Sequence, residues 1–196
     1  EIETEGYAEV THTSLYVRLP LADRPQESLL VWTTTPWTLV ANTAVAVRPD
    51  VTYAVARTAE GTFVVAEGLL ERVLPAGAEV LARLPGSALE RSAYQRPFDL
   101  VDVPGAHYVI LADYVTTEDG TGLVHQAPAF GAEDLAATRG YGLPVVNPIE
   151  PDGHFRADVP LVGGLFFKAA DAPLVADLRA RGLLYREEPH EHSYPH

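Results

Sequence analysis

Through the first two-thirds of the chain, β-branched and alternating runs follow one another at short intervals: 14–19, 29–35, 44–47, 52–58 and 62–66, each bounded by Pro, Gly, Asp or Asn. A period of two turns one face of a strand toward a core, and breakers at both ends limit its length, so these runs predict strands. Residues 79–84, 107–112 and 122–126 supply further candidates. The link Thr58-Ala59-Glu60-Gly61-Thr62 is short and contains the glycine that a hairpin turn needs. Helical spacing is rarer. It covers 66–74, stopped by Pro75, and 133–139, closed by Gly140 and Gly142. A third helix is expected from Asp171 as N-cap, with Pro173 in its first turn, Leu174, Val175 and Leu178 buried, and Gly182 as its stop. Many short strands with a few peripheral α-helices predict a mainly β, barrel-like domain and not alternating βαβ units. No repeat or low-complexity linker divides residues 1–196, and the closing stretch from Arg181 reads as a connection leading out of the domain.

Composition narrows the chemistry. A hydrophobic content of 47 % over 196 residues is enough for one core. No uninterrupted apolar run approaches a membrane span, and the first ten residues are acidic where a secretory signal would be basic, which points to a cytoplasmic protein with no membrane partner. The absence of cysteine excludes disulfides, thiolate nucleophiles and Cys-based zinc sites. Scarce Asn and absent Met and Cys, with Pro in loops, fit a thermophile, although genomic base composition explains the Ala and Arg bias equally well. A formal charge of −13 argues against a free-standing nucleic-acid binder, because phosphate contacts require clustered cations. A single lysine, Lys168, stands among the basic residues.

Two segments could carry chemistry. In Val31-Trp32-Thr33-Thr34-Thr35-Pro36-Trp37-Thr38, followed by Asn42, a strand delivers consecutive hydroxyls to a stop enforced by proline. Such hydroxyls suit a polar ligand, although Thr is also simply a good strand former and Trp37 a good core aromatic. In the segment from Gly120 to Asp134, glycines permit close backbone approach, a short strand ends near His125, and a Pro-Gly turn opens a helix whose first turn carries Asp134. A helix N-terminus favours an ionised carboxylate there, suited to a cationic amine or merely to helix stability.

Together the segments TTTPWT…Asn42 and GTGLVHQAPAFGAED resemble the signatures of the editing insertion shared by isoleucyl-, valyl- and leucyl-tRNA synthetases. Thr35 and Trp37 place the resemblance on the isoleucyl branch, since the other two usually carry Arg and an acidic residue at those positions. The resemblance runs from Ser14-Leu15-Tyr16-Val17 to the terminal His192-Ser193-Tyr194-Pro195-His196, with Val40 standing where relatives often have Pro. It implies one editing domain over 1–196 belonging to a larger synthetase, with 1–12 and 184–196 as connecting segments whose ends lie together, residues near Val10 and Tyr185 pairing or adjacent.

The resemblance also implies an activity: hydrolysis of valine from the 3′ end of tRNA(Ile), and of valyl-adenylate, with no cofactor in this domain. A single methylene is worth only about 1 to 3 kcal/mol in an apolar pocket, a limit known from isoleucyl-tRNA synthetase itself, so a second pocket that excludes isoleucine is required. By this resemblance Trp37, Thr35 and His125 wall the side-chain pocket, with His125 as the main steric bar, and Asp134 holds the ammonium. Thr34, Thr35 and Asn42 orient the ester, the terminal adenosine or the attacking water; Thr34, Thr35, His125 and Asp134 form the catalytic set. Thr33, Trp37, Thr38, Asn42, Gly122, Val124, Ala127 and Phe130 are the implied substrate-binding positions. No serine stands in a nucleophile elbow, so the expected chemistry is direct attack by a positioned water. Two rivals remain open: a metal site built on His190, His192 and His196, whose spacing lacks zinc-hydrolase logic, and a non-catalytic β-barrel module for a ligand or partner.

Overall fold

The computed structural model describes the backbone of residues 7–195 and the side chains of 13–189. Nine strands, β1 Tyr7–Pro20, β2 Glu27–Thr33, β3 Ala44–Val47, β4 Thr52–Thr58, β5 Gly61–Ala66, β6 Glu79–Pro85, β7 Tyr108–Leu111, β8 Leu123–Gln126 and β9 Leu184–Pro195, form two mixed sheets among these residues. One has six strands in the order β6-β4-β5-β2-β1-β9, the other three in the order β7-β3-β8. Three α-helices, α1 Leu70–Val73, α2 Ala132–Arg139 and α3 Asp171–Ala180, and several 3-10 turns lie around them. The mainly β reading therefore holds.

The alternation of β3 explains how the sheets stack. Val45 and Val47 face the large core with Leu15, Val31, Phe63 and Leu123, while Ala44 and Ala46 face a second cluster with Ile110, Val115 and Leu143. All four β3 residues are buried, as a strand covered on both faces must be. The hairpin between β4 and β5 forms as its glycine implied, Thr58 pairing with Gly61. Two adjacencies had no sequence signal: β2 pairs with β5 in parallel, and β3 with β7 in parallel.

Several boundaries differ from the sequence expectation, each for a local reason. β2 ends at Thr33 instead of Thr35, because the Thr33 hydroxyl accepts the Thr35 N–H at 3.1 Å and Pro36 opens a 3-10 helix, Pro36–Ala41. β7 starts after His107, whose φ of 77° is incompatible with a strand. The expected helix over 66–74 divides into a 3-10 turn, Glu67–Leu69, and the single turn of α1. Asp171 is the first residue of α3 and not its N-cap; its carboxylate accepts the backbone N–H of Trp37 at 3.0 Å. Residues 184–189, within the expected connecting segment, are strand and pair antiparallel with β1. In that ribbon Val10 faces His192 and Leu184 faces Val17, with Tyr185 at a register shift. The side chains of His190, His192 and His196 lie outside the described residues.

Candidate functional site

Where β2 gives way to the 3-10 helix, the threonines knit into a hydroxyl cluster. Thr33 Oγ1 lies 3.4 Å from Thr35 Oγ1, and Thr35 Oγ1 lies 3.2 Å from Thr38 Oγ1. Thr38, one turn into the helix, donates to the Thr35 carbonyl at 2.9 Å. Thr33 and Thr38 are buried, Thr34 is half-buried and Thr35 is exposed. The loss of strand geometry after Thr33 thus brings hydroxyls from different positions to one side, where an extended strand would have alternated them.

His125 in β8 reaches this cluster. Asn42 Nδ2 donates one hydrogen to the Ala44 carbonyl at 3.0 Å and the other to His125 Nδ1 at 2.8 Å. Its Oδ1 accepts the Tyr94 hydroxyl at 2.5 Å, which fixes the orientation of the amide. With Nδ1 an acceptor, the imidazole hydrogen belongs on Nε2, which donates to Thr38 Oγ1 at 2.9 Å. Both ring nitrogens are therefore engaged within the protein. Burial pushes the His125 pKa down to about 4, so the ring is neutral at physiological pH. A neutral ring with no free lone pair is suited to shaping a cavity and poorly suited to accepting a proton. His107, strained at positive φ, holds the same assembly from behind, with Nε2 2.8 Å from the Asn42 carbonyl.

Asp134 lines, from the second segment, the same cleft as the threonine cluster. In the first turn of α2, its Oδ2 accepts the Ala127 N–H at 2.9 Å and its Oδ1 the Tyr114 hydroxyl at 3.1 Å. Tyr114 in turn accepts from Gln126 Nε2 at 2.6 Å. Burial raises the Asp134 pKa, while the hydrogen bonds from Ala127 and Tyr114 and the neighbouring Glu133 act as smaller influences. Each carboxylate oxygen keeps a lone pair for a cation. The glycines leave room for this arrangement: Gly122 has φ of 84°, and a Cβ there would lie 2.4 Å from the Ala66 Cβ.

The cleft measures about 420 Å³, within the range of small-ligand sites. Thr33, Thr34, Thr35 and Thr38 line it from one segment; Gly122, Val124, His125, Ala127, Phe130 and Asp134 line it from the other. Two expected positions do not line it. Asn42 stands behind His125, and Trp37 packs its ring against Phe130, with centroids 4.9 Å apart, and against Phe167 at 4.6 Å. Sequence reasoning missed Trp32, Thr116, Asp119 and Thr121 in the lining, and Tyr94, Tyr114 and Gln126 as supports. Trp32 and Thr121 lie inside the two motif segments, where no role was expected of them, whereas Tyr94 lies in an irregular stretch with no periodic signal.

Among the described residues no cluster of His, Asp and Glu could hold a metal ion, and no helix is long and apolar enough to cross a membrane. No family model matches the chain. Curated proteins do. The chain is 60 % identical to an isoleucine–tRNA ligase of Streptomyces coelicolor over 98 % of its own length. It is 46 % identical to that of Thermus thermophilus over 97 %, and 45 % identical to that of Methanothermobacter marburgensis over 96 %. It spans only 19 % of the first of these proteins and 18 % of the other two. Among solved structures it resembles that described as GlLeuRS-CP1, with a TM-score of 0.71 and 15 % identity, covering 89 % of this chain and 99 % of that one. The editing domain of the cytosolic leucyl-tRNA synthetase of P. knowlesi aligns with a TM-score of 0.63 at 10 % identity, over 94 % and 99 % of the two chains. At these identities the likeness is one of fold.

Proposed function

Since the chain belongs to the isoleucine–tRNA ligases, as a segment with the fold of a synthetase editing domain, we propose that it hydrolyses valine from mischarged tRNA(Ile), and from valyl-adenylate. The observation that carries the reading is the convergence of the threonine cluster and the segment from Gly122 to Asp134 on one cleft. The Asp134 carboxylate faces a space bounded opposite by the His125 ring and the threonine hydroxyls, an arrangement that fits an ammonium, a short branched side chain and an ester in one ligand.

In this reading Asp134 binds the aminoacyl ammonium and thereby orients the carbonyl. His125, held neutral and rigid through Asn42 and Thr38, limits the depth available to the side chain, so that valine enters and isoleucine does not. Crowding one extra methylene costs about 1 to 3 kcal/mol. Water adds to the ester carbonyl, the threonine hydroxyls stabilise the developing oxyanion, and the carbon–oxygen bond to the ribose breaks with a proton passing to the leaving oxygen. Among the described residues the Thr34 hydroxyl has no hydrogen bond of its own, which leaves it free to serve the ester. The remaining parts of the proposal are a cytoplasmic location, no cofactor in this domain, and the rest of a parent synthetase as the partner that grips the tRNA body.

The test is deacylation of valyl-tRNA(Ile) by the parent enzyme and by this chain, with and without chelator. Loss of valine that is unaffected by chelator supports the reading. An intact ester beside a folded protein would instead favour a non-catalytic binding module, and inhibition by chelator would revive a metal mechanism.

A further inference from the structure

We propose that Phe166, Phe167 and Lys168 form a stacking and phosphate-pairing site for the single-stranded nucleotide preceding the one that carries the ester, a deepening that rests on the function proposed above.

A line of aromatic rings leaves the cleft. Phe130 lines the cleft, and Trp37 stands against it edge-on at 4.9 Å and 69°. Phe167 follows Trp37 at 4.6 Å, and Phe166 follows Phe167 at 4.6 Å. The last ring is 43 % exposed, which leaves an aromatic surface open to a base. It is also fixed in place. Gly153 has φ of 88°, and a Cβ there would come within 2.7 Å of the Phe166 ring. A backbone bridge ties His154 to Phe166, and the Phe167 N–H donates to the Gly153 carbonyl at 2.9 Å. An exposed ring already ordered by its surroundings suits stacking, because little conformational freedom remains to be lost on binding.

The charges agree with this placement. A second cleft, of about 560 Å³, shares Thr34 with the first and is lined by Lys168, Asp171 and Arg179. Arg179 is paired with Glu187 at 2.5 Å, whereas Lys168 forms no ion pair among the described residues: its charge acts on Asp171 from a distance and its ammonium stands 6.0 Å from the Phe167 ring centroid, which makes it the cation for a phosphate. In a chain of charge −13 a grip through many phosphates is not available. Stacking on aromatic faces tolerates any base and needs few cations, so one ring platform and one lysine resolve the conflict between acidity and a nucleic-acid substrate.

The experiment compares Phe166→Ala, Phe166→Leu and Lys168→Ala with the wild-type chain on three probes: a short valylated oligonucleotide, valyl-adenosine, and the unacylated oligonucleotide. For the valylated strand KM rises roughly tenfold in both Phe166 variants with kcat retained, since stacking requires the ring. In Lys168→Ala the dependence of log KM on log salt becomes shallower by about 0.7. Valyl-adenosine has no preceding nucleotide and is hydrolysed as by the wild type. Unchanged KM in all three variants, or equal damage to both esters, overturns the site. If the wild type hydrolyses neither ester, the deacylase reading fails, and titration of the unacylated strand still decides whether Phe166 and Lys168 bind it.

Discussion

Replacing Asp134 by Asn isolates the charge at the cleft from the architecture around it. Alanine would be blunter, because it also strips the acceptor from the Ala127 N–H and the Tyr114 hydroxyl. With Asn, the side-chain oxygen keeps the Ala127 N–H and the amide nitrogen faces Tyr114. The Tyr114 oxygen already accepts from Gln126, so its own hydrogen loses a receiver. That loss costs about 1 kcal/mol, a fall in Tm of about 2–4 °C for a domain of this size. The loss in function is expected to be larger. A hydrogen bond to a charged partner contributes about 1.5–3 kcal/mol, and the half-open position of Asp134 argues against a higher figure. Each 1.36 kcal/mol is a factor of ten in rate, so kcat/KM for valyl-tRNA(Ile) should drop by about 10- to 150-fold. The assay is initial-rate deacylation beside a thermal melt. The acid side of the pH profile provides a second readout: burial raises the Asp134 pKa, so wild-type activity declines as falling pH neutralises the carboxylate, and the variant lacks that limb. A variant within twofold of wild type, with its acid limb intact, would remove Asp134 from the role of ammonium anchor.

Other outcomes follow from the same geometry. His125→Ala opens the side-chain pocket, so isoleucyl-tRNA(Ile) becomes a substrate while valyl-tRNA(Ile) is still cleaved; if the isoleucyl ester survives, the steric gate lies elsewhere. Asp171→Asn concerns stability. Desolvation by burial lifts the Asp171 pKa from 3.8 to about 6, so its contribution to folding is greatest below the unfolded value and is lost as pH rises through the folded one. At pH 7.5 the variant, which still accepts the Trp37 N–H, should melt higher than wild type, by about 1 kcal/mol or less once solvent screening is allowed for. The advantage should vanish near pH 4; a variant destabilised equally at both pH values would contradict the assignment.

Local grammar was legible where one physical cause dominates. β3 and β4 begin and end where alternation and breakers place them, because Asn42 stands shortly before β3, Pro49 and Asp50 separate it from β4, and the turn through Glu60 and Gly61 closes β4. It failed where a side chain overrules the backbone pattern: Thr33 captures the Thr35 N–H and ends β2, and the left-handed turn at His107 delays β7. The two walls of the cleft were readable as motifs, yet their supports were not. Tyr94 meets Asn42 across 52 residues and Tyr114 meets Asp134 across 20, and neither contact leaves a periodic trace. Asn42 and Trp37 were recognisable as belonging to the site, but only the three-dimensional arrangement places them behind its lining, one steadying an imidazole and the other a phenylalanine.

The closed bonding of the His125 ring separates two properties that many hydrolases tie together. Burial pushes the His125 pKa down to about 4, so the proposed gate stays uncharged at physiological pH, while burial pushes the Asp134 carboxyl upward. In the proposed deacylase, neutralising the Asp134 carboxylate then slows the removal of valine without altering which amino acid is removed.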